Sequence, residues 1–385
     1  MQINYSDLDK IALQNETKSV TYRELRENIA QAKPAGDFLR AENSFEFIYQ
    51  FYALLEQGRI PRVLPIGHDE KEIIARDKQF TQLPEDTLLI GYTSGTTGLP
   101  KAYMRGKESW LIGYEATTQK EAPTLACFGP MSYSLSLFSL TQTLYFGQTF
   151  QFTKKFNVDH MIKLANTNSH IVFSIVPTMF EMFAERAIKL NQTINNRIEI
   201  YTTGSKLNPS NIQKLKTLIP NLKVFEYYGT SETSYVAGYE VTGTEPSNYV
   251  GELFPGVEIA LAPGGQIQIT SPQLFLGYLP NPLASQTLLM DDLGYLENNS
   301  LFLTGRASSI IKRGGEKIQA EEIERAILKL PGVSQVSVIG IPDHYYGQKV
   351  KARIVSSIKH TKIPKVDQIE YVDKLELTPN GKIKK

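Results

Sequence analysis

Apolar and polar residues change their period several times along the chain, and each change marks a different kind of element. Between 20 and 58 the spacing is helical. In TYRELRENIAQA, Tyr22, Leu25 and Ile29 recur at three- and four-residue intervals on one face, with Thr21 placed to cap the first turn. From 87 to about 230 short apolar runs take over, TLLIGYT, IVFSIVP, IEIYTTG and KVFEYYG, separated by stretches long enough for helices. Strands buried on both faces read this way, and their alternation with helices predicts α/β layers around a largely parallel sheet. Each run ends in Gly, Pro or Thr, at the strand ends where such sheets place ligands.

Residues 249–304 lose the helical stretches. Short runs broken by PGVE, PGGQ and ENNS predict a small β-rich subdomain. Within it, DDLGYLENNSLFLTGR reads as a hairpin turning at Asn298–Asn299 and returning Arg306 towards Asp292. Beyond 306, AEEIERAILKLPG puts Ile323, Ala326, Ile327 and Leu330 on one helical stripe that stops at Pro331–Gly332, and KVKARIV alternates like a half-buried strand. The expected fold class is α/β. A large N-terminal domain of layered α/β subdomains with the small β-rich subdomain would span 1–306, and a small mobile α+β domain 307–385.

Composition narrows the function. A chain of 385 residues is too long for one ordinary core. Lys plus Arg number 41 and Asp plus Glu 40, so no bulk field recruits nucleic acid or an anionic membrane, and small-molecule partners are expected. Cys127 is the single cysteine, which excludes an internal disulfide and a thiolate-rich metal site. The N-terminal stretch lacks a basic start followed by an apolar run, and no segment approaches about 20 uninterrupted apolar residues. A cytoplasmic protein without integral membrane association is expected.

The stretch YTSGTTGLPK at 92–101 carries the first chemical signal. Glycines let a backbone approach a phosphate closely, serine and threonine hydroxyls add short donors, and a lysine adds a point charge. The spacing is not that of a Walker loop, in which Lys directly follows Gly. Taken alone, such a run is more often a flexible surface loop.

Four further stretches change that balance. YTSGTTGLPK resembles the phosphate loop of the adenylate-forming superfamily, which includes acyl-CoA synthetases, peptide-synthetase adenylation domains and luciferases. In the order that family shows, YYGTSET at 227–233 resembles its YG-x-T-E motif, and DDLGYLENNSLFLTGR at 291–306 its ribose-binding Asp followed by GR. IIKRGGEKIQAEEIE at 310–324 resembles its Gly-Gly-Glu segment, and LTPNGKIKK at 377–385 its terminal P-x-G-K. Five matches in register across nearly the whole chain identify a shortened member most like acyl-CoA synthetases.

The resemblance implies roles. Thr93, Ser94, Thr96, Thr97 and Lys101 would hold the ATP phosphates, with Gly95 and Gly98 permitting the turn. Attack of a carboxylate on the α-phosphate brings anions together, so such a site neutralises charge as it develops. Glu232 would hold Mg²⁺, Ser231 would keep the hydroxyl of the family's Thr, and Tyr228, beside Gly229, would stack on adenine opposite Gly204 and Ser205. Asp292 would take the ribose hydroxyls with Arg306 beside it; position alone reads as a turn aspartate and a solvated arginine. Lys382 would be the catalytic lysine, and Lys382→Ala is expected to lower adenylation about 10²–10³-fold, the scale of one lost transition-state donor. Ser308 matches the hinge about which the small domain rotates to present Gly314 and Gly315 for the thiol step.

In GPMSYSLSLFSL, Tyr133 matches the aromatic gate of the acyl pocket, and Ser134 stands where amino-acid-activating relatives carry Asp. A fatty or aromatic acid such as o-succinylbenzoate is therefore expected over a free amino acid. Leu135, Leu137, Phe138 and Val176 fit either a pocket lining or simple core packing. The reading is an ATP- and Mg²⁺-dependent acid–thiol ligase that uses coenzyme A. An acyl carrier protein is the alternative acceptor, and a non-catalytic nucleotide-binding protein the alternative from another class. Compared with the family, the first subdomain and the stretch between Gly347 and Leu377 are abbreviated.

Overall fold

The computed structural model describes residues 1–93 and 99–376, which fall into two compact units. The first comprises Met1–Thr244, Phe254–Gly256 and Ser271–Gln286, and the second Glu245–Leu253, Val257–Thr270 and Thr287–Lys385.

The apolar runs of the first unit become strands of two sheets. Thr124–Cys127, Thr149–Gln151, His170–Ile175, Arg197–Thr202 and Leu222–Thr230 are parallel, with Ile198 in register with Ile171 on one side and Leu222 on the other. The sheet is covered on both faces, and this explains the continuous apolar sequence of its strands. Helices Val158–Thr167, Pro177–Leu190 and Ile212–Leu218 contribute Met161, Phe180, Phe183 and Leu215 to one shared core with Phe173 and Ile200. Ser234–Glu240 then adds antiparallel to Leu222–Thr230.

A second, six-stranded sheet runs Asn281–Pro282, Gly277–Tyr278, Lys101–Gly106, Thr87–Thr93, Arg62–Leu64, Phe38–Arg40. The helix expected at 22 is Tyr22–Gln31; Thr21 accepts from the Glu24 backbone while the Glu24 carboxylate accepts from the Thr21 backbone, a reciprocal cap. Tyr22, Leu25 and Ile29 are buried as their spacing requires.

In the second unit, Tyr249–Leu253, Glu258–Leu261, Gln266–Thr270, Thr287–Glu297 and Ser300–Arg306 form the expected β-rich segment, and their pairing is antiparallel. A five-stranded sheet follows, built from Ile310–Arg313, Glu316–Gln319, Val333–Asp343, Gly347–Ser356 and Gln368–Tyr371, with helix Ala320–Leu328 against it. Ile323 and Ile327 enter that core beside Val336, Val338 and Val350, whereas Ala326 is exposed and Leu330 lies past the helix end, half-buried. The stripe is thus narrower than the sequence pattern. The alternation of KVKARIV is borne out, with Val350, Ala352 and Ile354 inward.

Candidate active site

Two motifs meet at one end of the sheets of the first unit. Thr87–Thr93 and Lys101–Gly106 are antiparallel, and Thr93 pairs in register with Lys101. Thr93 and Lys101 thus stand opposite each other at the paired strand ends; Ser94, Gly95, Thr96, Thr97 and Gly98 lie outside the described residues. Lys101 is exposed, with its ammonium 5.6 Å from the centroid of the Tyr278 ring.

The YYGTSET segment supplies the carboxylate. It ends strand Leu222–Thr230 in a tight reversal, where the Thr230 N–H donates to the buried Thr233 hydroxyl at 3.0 Å and the Glu232 N–H to the Thr230 hydroxyl at 3.2 Å. Gly229 is required there, because a Cβ would sit 1.9 Å from the Ser234 carbonyl oxygen. A bulge separates Tyr228 from Gly229 in the pairing with Ser234–Glu240, and such bulges re-aim side chains. Tyr228 is half-buried.

The Ser231–Glu232 backbone is tied down from outside the motif. The Phe275 N–H donates to the Glu232 carbonyl at 2.7 Å. The wholly buried Arg105 guanidinium donates to the Ser231 carbonyl, to the Gln273 carbonyl at 2.8 Å and to the Ser109 hydroxyl at 3.3 Å. Burial pulls the Arg105 pKa down to about 10, still well above neutrality. The Glu232 carboxylate accepts a short hydrogen bond from the Tyr278 hydroxyl. Burial first, and then the Glu232 charge, push the Tyr278 phenol above its ordinary range.

Gly204 and Ser205 are exposed on the loop after strand Arg197–Thr202, with Gly204 at φ +99°. A second polar tie fixes that loop: the buried Glu226 carboxylate accepts from the Leu207 N–H and the Lys206 ammonium, both at 2.8 Å. Arg105, Tyr278 and Glu226 were all missed in the sequence reading. A charged residue inside an apolar strand, as in KAYMRG, was the available signal for Arg105; an isolated Tyr after Gly offered none for Tyr278.

Tyr133 is the residue before helix Ser134–Tyr145, half-buried like Ser134, and burial pushes its phenol up to about 12. Behind it, Leu137 and Phe138 are buried, and the Phe138 ring packs on Trp110, Tyr114 and Tyr235 at 5.5, 4.9 and 5.5 Å. These two residues therefore form core; Leu135 and Val176 are half-buried.

In the second unit the hairpin forms as expected. Asn298 and Asn299 take φ of +47° and +71°, and Asp292 pairs in register with Arg306, Nε to Oδ1 3.1 Å. Asp292 is buried and Arg306 exposed. Ser308 donates its N–H to Asp291 at 3.0 Å and its hydroxyl to the same carboxylate. Gly314 and Gly315 both have positive φ in the turn between two paired strands. Lys382 lies outside the described residues.

Among the described residues no three His, Cys, Asp or Glu gather into a metal cluster. The donor that is present is a single carboxylate, Glu232, and its chemistry fits a nucleotide's magnesium, since Mg²⁺ typically takes one or two carboxylates and completes its shell with phosphate and water oxygens. No helix among the described residues is long and apolar enough to cross a membrane.

The AMP-binding enzyme family model matches residues 50–279, more than half of the chain. The Staphylococcus epidermidis protein named "Putative long chain fatty acid-CoA ligase VraA" is 27% identical over 97% of this chain and 93% of its own length. The Bacillus subtilis protein named "Uncharacterized acyl-CoA ligase YhfT" is 30% identical over 80% of this chain and 69% of its own. Among solved structures, o-succinylbenzoate coenzyme A synthetase (MenE) from Bacillus subtilis, in complex with ATP and magnesium ion, superposes with a TM-score of 0.81 at 19% identity, covering 97% of this chain and 95% of that one. This chain belongs to the AMP-binding enzyme family, within the adenylate-forming superfamily of acyl-CoA ligases and their relatives.

Proposed function

We propose that this protein is an acid–thiol ligase that activates a fatty or aromatic carboxylic acid with ATP and transfers the acyl group to coenzyme A. In the first step a carboxylate oxygen attacks the α-phosphorus, the bond to the β-phosphate oxygen breaks, and pyrophosphate leaves behind an acyl-AMP. In the second, a thiolate sulfur attacks the acyl carbon and AMP departs.

The observation that carries this reading is the convergence in the first unit of Thr93 and Lys101, at the ends of the phosphate-loop strands, with the tied-down Glu232 carboxylate. Lys101 and the loop hydroxyls would bind the phosphates, Glu232 would hold the nucleotide's magnesium, and Tyr228 and Gly204–Ser205 would take the adenine. Magnesium, when bound, would neutralise phosphate charge. Asp292 and Arg306 would serve the ribose, Lys382 the transition state, Ser308 the hinge of a domain movement beginning after 306, and Tyr133 and Ser134 the acyl entrance. The names of the relatives favour a fatty acid and coenzyme A as substrates.

Pyrophosphate release with ATP and Mg²⁺ across fatty, aryl and amino acids, with and without coenzyme A, tests the reading. A fatty or aryl acid should release pyrophosphate, giving an acyl-CoA only when the thiol is present. Arrest at acyl-AMP with transfer to a holo-carrier protein would replace coenzyme A as acceptor, and silence despite ATP binding would replace catalysis by nucleotide binding.

A further inference from the structure

One side chain of the first unit touches both charges on which the proposed function rests. The Tyr278 hydroxyl donates to Oε1 of Glu232, and the Lys101 ammonium lies over the face of the same ring, 5.6 Å from its centroid. The ring is firmly placed. Tyr278 pairs antiparallel with Tyr103, and the flanking Leu276 and Leu279 N–H groups donate to the Met104 and Ala102 carbonyls at 2.8 and 2.9 Å. Gly277 before it has φ +117°, and a Cβ there would lie 2.6 Å from the Asn281 carbonyl oxygen, so only glycine fits the bend that aims Tyr278. The Phe275 ring packs edge-on at 4.9 Å.

A lysine and a glutamate within reach of one phenol attract each other, more strongly as water is excluded. An ion pair between them would occupy the charges that a metal–triphosphate needs. A phenol resolves that conflict chemically, because its π-face accepts a cation while its hydroxyl donates to an anion. We infer that Tyr278 is a positioning residue that separates Lys101 from Glu232, orienting the carboxylate for the nucleotide's divalent cation and leaving the ammonium for its phosphates. This inference rests on the ligase reading above.

The test is equilibrium binding, independent of turnover. Titration of ATP without metal, and of Mn²⁺ into the protein–ATP complex followed by electron paramagnetic resonance, is compared for the wild type, Tyr278→Phe, Tyr278→Leu and the double variant Tyr278→Leu/Lys101→Met. Melting temperatures close to wild type certify folding.

Tyr278→Phe keeps the ring over Lys101 but loses the hydroxyl, and should weaken Mn²⁺ about tenfold with little change in metal-free ATP affinity, the scale of losing an outer-shell partner of a metal ligand. Tyr278→Leu loses the spacer as well, and should weaken Mn²⁺ about 100-fold and metal-free ATP too. Adding Lys101→Met removes the competing cation and should restore Mn²⁺ affinity towards that of Tyr278→Phe, a recovery that simple packing damage would not give. Wild-type Mn²⁺ affinity in both single variants, or no recovery in the double variant, overturns the inference and leaves the ligase reading standing. A wild-type protein that binds no ATP in either titration overturns both.

Discussion

Asp292 and Arg306 stand opposite each other across an antiparallel hairpin, the guanidinium Nε 3.1 Å from Oδ1 of a carboxylate that is itself buried. The arginine is largely exposed, so the pair is an ordered acid beside a cation that water still screens. If Asp292 accepts the ribose hydroxyls, Asp292→Asn loses a hydrogen bond to a charged group, about 1.5–3 kcal/mol. Its ATP dissociation constant should rise about 10–100-fold, with a melting temperature close to wild type. Isothermal titration measures the first and calorimetry the second; unchanged ATP affinity would remove Asp292 from the site.

The same hairpin supplies a stability prediction. Asn298 and Asn299 both sit in the left-handed region, where asparagine is tolerated and a β-branched residue is not. Asn299→Val should destabilise the second unit by about 1–2 kcal/mol, whereas Asn299→Gly should be neutral or slightly stabilising. Urea unfolding of the two variants checks the difference in sign, and equal midpoints would show that the turn does not set the register.

That turn was legible because its signal is local: two asparagines between alternating apolar runs admit few backbone solutions. The same holds for the Thr21 cap and for the parallel strands whose apolar runs announced burial on both faces. Ala326 shows where periodicity runs out, since helical spacing says which residues share a face but not how wide a strip the neighbouring sheet covers. The candidate residues divide likewise. Glu232 and Asp292 stood in recognisable motifs, whereas Arg105, Tyr278 and Glu226 act across 126, 46 and 19 positions of chain, and only the fold brings them to their partners.

Arg105 is the most consequential of these. Its buried guanidinium serves the Ser231 and Gln273 carbonyls together, joining the loop that bears Glu232 to the segment that bears Tyr278. Arg105→Met keeps much of the volume but leaves the buried Gln273 carbonyl and the half-buried Ser231 carbonyl without that donor, the buried one at a cost of about 1–3 kcal/mol. The expected outcome is a loss of about 2–4 kcal/mol in chemical denaturation, together with weaker Mg²⁺ dependence of ATP binding. Arg105→Lys supplies one point donor in place of a planar fork and should recover only part of the loss. A variant as stable as wild type would mean that water or a neighbouring group replaces the guanidinium without cost.

Gly229 gives the sharpest prediction, because the obstacle is backbone. A methyl group there would stand 1.9 Å from the Ser234 carbonyl oxygen, and neither partner can swing away as a side-chain terminus could. Gly229→Ala must therefore shift the bulge that links Tyr228 to the Thr230–Thr233 turn, moving the Tyr228 ring and the Glu232 carboxylate relative to each other. A displacement near 1 Å costs about 10²-fold in a reaction that depends on alignment. Gly229→Ala should lower adenylation by at least that factor while far-UV circular dichroism stays near wild type, since the strand stays paired with Arg197–Thr202 on its other side through Leu222–Glu226. Gly36→Ala is the control, having nothing within 4 Å of its added Cβ and no positive φ, and should leave pyrophosphate release unchanged. Equal activity in the two variants would mean that the turn after Tyr228 tolerates movement, and that Glu232 does not need its observed position.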